Sequence, residues 1–199
     1  MDASRNSMKD NLEFFLLIGK LKHLKRTGWV LREIPECETV AGHMYRMSIM
    51  AFLLDKDACP NLDRNKCIKM ALVHDIAECI VGDLTPFCGI SKEEKHMKEK
   101  VAMKRLADLV PKNIGQEFLD LFTEYEEQLT AEAKAVKDLD KFDMILQAYE
   151  YEKESQHSTS LQGFFDSTEG TFENSAIMKW VEELKSMRTA SSVQNTDKK

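Results

Sequence analysis

Hydrophobic side chains recur at steps of three and four residues through most of the chain, which is the spacing of an amphipathic α-helix. In the first such segment, Phe14, Leu17 and Leu21 fall on one face. The pattern predicts helices over residues 11–24, 39–55, 64–80, 91–109, 113–128, 130–152 and 174–188. The helix over 64–80 is apolar on nearly every side, so we expect it at the centre of the fold.

The composition favours an all-α protein. Of 199 residues, 43% are hydrophobic and 31% are charged, with only 8 Gly and 4 Pro, and this balance is typical of helix-rich domains. A chain of this length folds as one domain by default. We therefore expect a single-domain helical bundle over residues 11–188, with a flexible N-terminus at 1–10 and a disordered polar tail at 189–199.

Charge and cysteine content narrow the partners and the compartment. The formal charge is -6, from 34 acidic and 28 basic residues, so a nucleic-acid polymer is not an expected partner. The 5 cysteines form no C-x-x-C pair, which fits reduced thiols in the cytoplasm or the nucleus. The apolar run at 14–18 is too short to span a bilayer and follows no secretory leader, so we predict neither secretion nor membrane association.

The most informative stretch is the pentad His-Asp-Ile-Ala-Glu at 74–78, inside the helix that is otherwise built for burial. It places three metal-binding side-chain types within about one helical turn. His74 and Glu78 share a helix face, and Asp75 lies about 100 degrees further round. A buried carboxylate beside a buried imidazole is costly unless a positive charge compensates it, and a divalent cation does so directly.

Each feature taken singly has an ordinary explanation. A lone histidine such as His43 on an apolar helix face is usually a hydrogen-bonded core residue, and a His-Asp dipeptide is common by chance. Arg26 can be a surface residue, and Trp29 can be wedged between helices as packing. The methionines are expected to fill the core. Only a combination of residues can decide the interpretation.

That combination is His43, then His74-Asp75, then Asp140, each on a predicted helix. The order resembles the H...HD...D signature of the HD superfamily. Four stretches are similar to the eukaryotic HD-domain 5′-deoxynucleotidases: RTGW at 26–29, HMYRM at 43–47, ALVHDIAE at 71–78 and VGDL at 81–84. The bacterial 5′-deoxynucleotidases are similar in outline. The resemblance runs over residues 12–187 and implies an all-α, HD-type bundle with a central metal site.

The resemblance implies a role for each matching position. The family's metal ligands are matched by His43, His74, Asp75 and Asp140. Two imidazoles and two carboxylates suit Mn, Co or Mg, and also Fe or Zn. Glu78 and Asp83 match acidic residues beside the cation, where Glu78 could orient or deprotonate the attacking water. Together with the carbonyl of Leu84 they could hold a second cation.

Arg26 and Trp29 match an Arg and a Trp that contact the substrate in the family. A guanidinium fork suits a phosphate, and an indole beside the sugar could leave no room for a 2′-hydroxyl. The resemblance therefore implies a metal-dependent hydrolase, a homodimer, that converts deoxynucleoside 5′-monophosphates to deoxynucleoside and phosphate.

One position departs from the family pattern. Gly42 precedes His43 where relatives usually carry Asp or Glu. A hydrogen bond from that carboxylate is therefore missing, and the affinity for the metal could be lower.

Two other functions stay open. An HD-type nucleotide phosphodiesterase or triphosphohydrolase would share the core, although such relatives usually carry extra basic residues or extra histidines. A non-catalytic, metal-stabilised scaffold that binds nucleotides would share the ligands but would have no activity to lose when Glu78 is replaced. Release of pyrophosphate or triphosphate in place of orthophosphate would identify the first alternative.

Overall fold

Helices make up most of the structure, a computed structural model that describes residues 7–54, 59, 61–154 and 161–196. The α-helices in these ranges are α1 (Met8–Gly19), α2 (Thr27–Val30), α3 (Val40–Ala51), α4 (Arg64–Val73), α5 (Glu78–Val81), α6 (Lys92–Asp108), α7 (Lys112–Glu127), α8 (Ala131–Glu154), α9 (Gln162–Thr168) and α10 (Ser175–Thr196). Short 3-10 helices lie at Lys20–Lys22 and Pro86–Cys88. The all-α prediction is confirmed. Within these ranges, no helix combines the length and the apolar character needed to cross a bilayer.

Side-chain caps set where several helices begin. Ser7, Thr39, Asp63 and Ser91 each accept a hydrogen bond from the backbone N–H three residues further on. Such caps satisfy N–H groups that have no partner inside the helix. At Ser7 the bond is reciprocal, because the Asp10 side chain accepts from the Ser7 N–H at 2.9 Å. This pair starts α1 at Met8, earlier than the apolar pattern predicts.

The core is organised around α8. Its side chains Leu139, Phe142 and Ile145 are buried, and the helix packs against α3, α4, α7, α9 and α10. Helix α3 also packs against α4. The helices or helix ends that carry His43, His74 and Asp140 therefore surround one interior.

The segment before α3 is tied to that helix by an isolated bridge between Lys25 and Thr39. The N–H of Arg26 donates to the carbonyl of Glu38 at 3.1 Å. The N–H of Val40 donates to the carbonyl of Leu24 at 2.9 Å. The bridge fixes Arg26 beside the start of α3.

The single helix predicted over 64–80 is interrupted. Helix α4 ends at Val73 and α5 begins at Glu78, with a tight turn between them. In this turn the N–H of Glu78 donates to the carbonyl of Asp75, three residues back, at 3.0 Å. The N–H of His74 still donates to the carbonyl of Met70, four residues back, at 2.9 Å, so the tighter winding begins after His74. The prediction of one regular helix is therefore wrong at the residues that matter most for the site.

The last helix is longer than predicted. Helix α10 continues to Thr196, into the segment at 189–199 for which the sequence predicts a disordered tail. Arg188 on this helix donates to both carboxylate oxygens of Glu152 on α8, at 2.7 and 2.8 Å, and so ties the helix to the core. The first 6 and the last 3 residues of the chain, on which the predictions of flexible ends partly rest, lie outside the described residues.

Candidate metal centre

Two buried histidine rings meet where α3 approaches the end of α4. The ring centroids of His43 and His74 are 5.5 Å apart. Nδ1 of His74 lies 2.9 Å from the carbonyl oxygen of Ala71, and Nδ1 of His43 lies 2.7 Å from Oδ2 of Asp143. A carbonyl or a carboxylate can only accept a hydrogen bond, so each Nδ1 carries the hydrogen. In a neutral ring, Nε2 is then left with a free lone pair.

Two carboxylates face these Nε2 atoms. Oδ2 of Asp75 lies 3.1 Å from Nε2 of His74 and 3.8 Å from Nε2 of His43. Oδ1 of Asp140 lies 3.2 Å from Nε2 of His43. The side chain of Asp140 is only 18% exposed. The structure thus brings together the four side chains that the sequence singles out as metal ligands.

A divalent cation fits this arrangement. Nε2 of His43, Nε2 of His74 and Oε2 of Glu78 are buried, and none has a hydrogen-bond partner in the part of the chain that the structure describes. Nitrogen lone pairs and carboxylate oxygens gathered in one buried space repel one another unless positive charge lies between them. Imidazole nitrogens and carboxylate oxygens are also the donors that first-row divalent metals accept.

Nearby charges shift the pKa values of the site. Burial acts to lower the pKa of His43, but the carboxylates of Asp140 and Asp143 outweigh it and raise the pKa to about 9. Burial acts to raise the pKa of Asp75, but the cationic groups around it hold that pKa well below the ordinary value. A cation that binds Nε2 of His43 therefore has to compete with a proton for that atom.

Arg26 lies over the same carboxylates. Its Nη1 is 3.4 Å from Oδ2 of Asp75, and its Nη2 is 3.9 Å from Oδ1 of Asp140. The next residue, Thr27, donates its N–H to Oδ2 of Asp83 at 2.6 Å and its hydroxyl to the Asp83 carbonyl at 2.7 Å. Asp83 therefore fixes the turn that presents Arg26.

Glu78 is the first residue of α5 and is buried. It lines a cavity together with Asp83 and Leu84. Burial, followed by the negative charges of Asp75 and Asp83, raises the pKa of Glu78 well above its ordinary value. A carboxylate with a raised pKa binds a proton more tightly and is a better base. Gly82 adopts φ 81°, a conformation that favours glycine, where the chain turns between Glu78 and Asp83.

The cavity has a volume of about 730 Å³, and three of the four candidate ligands, His74, Asp75 and Asp140, line it. Its apolar lining includes Trp29, Leu31, Met144 and Phe164. The Trp29 ring is 1% exposed, lies 4.4 Å from the Phe164 ring centroid, and donates its Nε1–H to Glu38 at 2.7 Å. Trp29 is therefore packed in the core and also forms part of the cavity lining. A cavity of this size accommodates a small organic ligand.

Two residues that were not predicted as part of the site hold Asp140 in place. Oδ2 of Asp140 accepts from the Tyr125 hydroxyl at 2.8 Å and from Nζ of Lys137 at 3.0 Å. Lys137 precedes Asp140 by three residues on α8, a spacing that places neighbours on one helix face and could have signalled the pair. Tyr125 lies on α7, and no spacing along the chain connects it to the site.

Asp143 is a further residue of the site that was not predicted from the sequence. It supplies the acidic partner for His43 that the family pattern places at residue 42, which is Gly in this chain. The N–H of Gly42 donates to Oγ1 of Thr39 at 3.2 Å, and residue 42 contributes no side chain to the site. His43 nevertheless has a carboxylate partner, because Asp143 binds its Nδ1 from α8. The expected loss of a hydrogen bond from residue 42 therefore does not leave the ring without an acidic partner.

Comparison with known proteins identifies the family. Residues 18–179 match the family model described as HD domain. The chain is 47% identical to 5′-deoxynucleotidase HDDC2 of Xenopus laevis, over 94% of this chain and 92% of that protein. It is 46% identical to 5′-deoxynucleotidase HDDC2 of Homo sapiens, over 94% of this chain and 90% of that protein. The structure of a predicted metal-dependent phosphohydrolase from Magnetospirillum magnetotacticum matches with a TM-score of 0.72 and 25% identity, over 94% of this chain and 97% of that one. The chain therefore belongs to the HD-domain family.

Proposed function

We propose that this protein is a metal-dependent 5′-deoxynucleotidase that hydrolyses deoxynucleoside 5′-monophosphates to deoxynucleoside and orthophosphate. The observation that carries the proposal is one cavity whose lining includes both residues of a buried His and Asp cluster and aromatic side chains. Similarity to proteins named 5′-deoxynucleotidase along nearly the whole chain supports the same substrate class.

The proposed ligands of the cation are His43, His74, Asp75 and Asp140. A bound divalent cation supplies charge neutralisation for a phosphate oxygen and a lowered pKa for a water molecule. Mn, Co or Mg is the expected ion, with Fe or Zn compatible with the same donors. Glu78, Asp83 and the carbonyl of Leu84 are the proposed ligands of a second ion, since all three residues line the cavity.

Glu78 is the proposed general base. Its Oε2 has no hydrogen-bond partner among the described residues, so it is free to orient a water and accept its proton as the water oxygen attacks phosphorus. Arg26 is the proposed clamp for the phosphate. It lies within 3.4 Å of Asp75, so a phosphate beside that carboxylate is within reach of its guanidinium. Asp83 supports both groups, because it raises the pKa of Glu78 and binds the residue after Arg26.

The part of the cavity beside Trp29 and Phe164 is the proposed nucleoside site. Trp29 and Phe164 lie side by side there, and Met144 adds a further apolar surface. Aromatic rings and a thioether suit a planar base and the apolar face of a sugar. Because Trp29 is fixed by packing and by its bond to Glu38, it cannot easily move to admit a 2′-hydroxyl.

The lysines at the cavity favour a substrate with one phosphate. Three lysines line the cavity, and each is paired with an acid: Lys137 with Asp140 at 3.0 Å, Lys95 with Glu99 at 3.5 Å and Lys141 with Asp138 at 2.7 Å. Their charge is already balanced by acids, whereas a triphosphate needs several cations to compensate its charge. This pairing argues against the triphosphohydrolase alternative.

A product panel tests the proposal. Purified protein is given Mn²⁺, Co²⁺ or Mg²⁺ together with deoxynucleoside monophosphates, ribonucleoside monophosphates or deoxynucleoside triphosphates. We expect orthophosphate from the deoxynucleoside monophosphates and much less from the ribonucleotides. Release of pyrophosphate or triphosphate would select the alternative activity, and no product under any condition would favour the scaffold.

We also propose that the protein is a homodimer. Large apolar side chains lie exposed along one side of α3 and just beyond its end: Tyr45, Ile49, Phe52 and Leu53. Exposed apolar residues at helical spacing are typical of a protein interface. Light scattering on the wild type and on Ile49→Glu should show a dimer and a monomer, and a wild-type monomer would refute the proposal.

A reducing compartment, the cytoplasm or the nucleus, is the proposed location. All five cysteines are free, and four of them are buried. Proteins that mature in oxidising compartments commonly pair such residues. Imaging of a fluorescent fusion would test the location.

A further inference from the structure

The imidazole of His43 lies between two carboxylates of one helix. Oδ1 of Asp140 is 3.2 Å from Nε2, and Oδ2 of Asp143 is 2.7 Å from Nδ1. The two acids are three positions apart on α8, so both lie on the helix face that packs against α3. Asp140 therefore lies on the side of the ring that faces the proposed metal site, and Asp143 lies on the opposite side.

Asp143 is itself held by Arg46, which lies three residues after His43 on α3. Nε of Arg46 donates to Oδ1 of Asp143, the oxygen that does not contact the ring. The same guanidinium donates to Glu150 at 2.7 Å and to Gln147 at 2.9 Å. With both oxygens engaged and its side chain 0% exposed, the Asp143 carboxylate has one available orientation.

We propose that Asp143 is a positioning residue, which fixes His43 with the Nε2 lone pair directed at the cation. The inference rests on the proposed metal site. A carboxylate can only accept, so it keeps the hydrogen on Nδ1 and leaves Nε2 as the donor atom to the metal. It also makes the imidazole a stronger ligand, because it stabilises the positive charge that the ring gains when it donates its lone pair.

Arg46 explains why a full negative charge can be kept in this interior. An isolated buried carboxylate is costly, and a charge partner with several hydrogen bonds offsets that cost. The residue before His43 cannot replace this arrangement, because Gly42 has no side chain. Orientation of the ring thus comes across the core from α8.

Metal affinity, measured without substrate, tests the proposal. Binding of Co²⁺ is followed by competition with a fluorescent chelator in wild type, Asp143→Asn and Asp138→Asn. Asp138 is the matched control, since it is also buried on α8 but its Oδ2 accepts from the N–H groups of Glu173 and Asn174, at 2.7 Å each.

We expect Asp143→Asn to weaken Co²⁺ binding by about 10- to 100-fold, the usual effect of losing such a partner. Asp138→Asn should lose thermal stability but keep the wild-type affinity. Equal affinities in Asp143→Asn and the wild type would overturn the proposal, and so would an equal loss in both variants.

A measurement on the wild type covers the case in which Asp143→Asn does not fold. In the ¹⁵N-labelled protein loaded with Zn²⁺, long-range ¹H–¹⁵N spectra distinguish the protonated nitrogen of each histidine from the ligating one. We expect His43 to be protonated at Nδ1 and bound through Nε2, and ligation through Nδ1 would refute the role of Asp143.

The two proposals fail separately. A wild-type protein that binds Co²⁺ but releases no phosphate from deoxynucleotides would refute the proposed function and leave the role of Asp143 standing. Full phosphatase activity with unchanged Co²⁺ affinity in Asp143→Asn would refute the role of Asp143 and leave the proposed function standing.

Discussion

Nε2 of His43 lies 3.2 Å from Oδ1 of Asp140, although the two residues come from α3 and α8, which are far apart in the sequence. A cation between them would also contact Asp75, at the turn after α4. It would therefore bind side chains from three separate parts of the core at once. Metal binding and fold stability should be coupled.

Adding the metal should stabilise the protein. A cation at 100 times its dissociation constant raises the free energy of unfolding by about 2.7 kcal/mol, and calorimetry or thermal fluorescence would show the rise in Tm. Asp75→Asn should show little rise, because a ligand and its charge are lost. The exposed carboxylate of Asp120 offers a control, and Asp120→Asn should respond as the wild type does. A normal response in Asp75→Asn would rule out that residue as a ligand.

Replacing Glu78 by Gln should remove the base but keep the shape of the site. We expect kcat to fall by about 10²- to 10⁴-fold, the usual contribution of general acid–base catalysis. Phosphate-release kinetics would measure the loss, and metal content would show whether the primary ion is still bound. A variant with wild-type kcat would exclude Glu78 as the base.

The raised pKa of Glu78 also predicts a pH dependence of stability in the metal-free protein. Above the ordinary pKa of 4.5 the unfolded chain releases this proton while the folded chain retains it, so stability falls as pH rises toward the folded-state pKa. Gln does not titrate. The Tm of Glu78→Gln minus that of the wild type should therefore grow as the pH rises above the ordinary pKa of 4.5. A constant difference would show that the pKa of Glu78 is not raised.

The aromatic side chains of the cavity should contribute to substrate binding more than to chemistry. Phe164→Ala is expected to raise KM for a deoxynucleoside monophosphate by about tenfold and to leave kcat nearly unchanged, as expected for the loss of about 1.5 kcal/mol of aromatic contact. Phe118→Ala is the control, because Phe118 stacks on Phe14 outside the cavity lining. Equal KM values for Phe164→Ala and the wild type would place the nucleoside elsewhere.

Cys88 should be the first thiol to react with a disulfide reagent at neutral pH. It is exposed, and hydrogen bonds from the side chain and backbone of Thr85 lower its pKa. Burial raises the pKa of Cys67 to about 12 and that of Cys79 to about 11. The time course should show one fast thiol, which Cys88→Ser removes. A fast phase that survives this substitution would contradict the assignment.

Two glycines should respond oppositely to alanine. A Cβ on Gly115 in α7 would lie 2.4 Å from the backbone oxygen of Ala107, so Gly115→Ala should destabilise the protein by about 1–3 kcal/mol. A Cβ on Gly19 meets nothing within 4 Å in the described part of the chain, so Gly19→Ala should be neutral or stabilise by up to about 1 kcal/mol. Urea denaturation would measure both, and equal effects would argue against close packing of α6 on α7.

The sequence by itself determined the helical class and the chemistry. Helical periodicity is a local property, so most helices could be placed from the spacing of apolar residues. The identities of His43, His74, Asp75 and Asp140 state which donor atoms are present, and their order carries the family resemblance. Neither inference required knowing how the helices pack.

Only the tertiary structure decided how those donors are held. The tight turn between α4 and α5 depends on hydrogen bonds that periodicity does not report. The partners Tyr125 and Asp143 reach the site because α7 and α8 pack beside it, and an acid that binds a histidine in the core resembles in sequence any other acid on a helix. Contacts between residues far apart in the chain are set by packing geometry, which the local pattern does not encode.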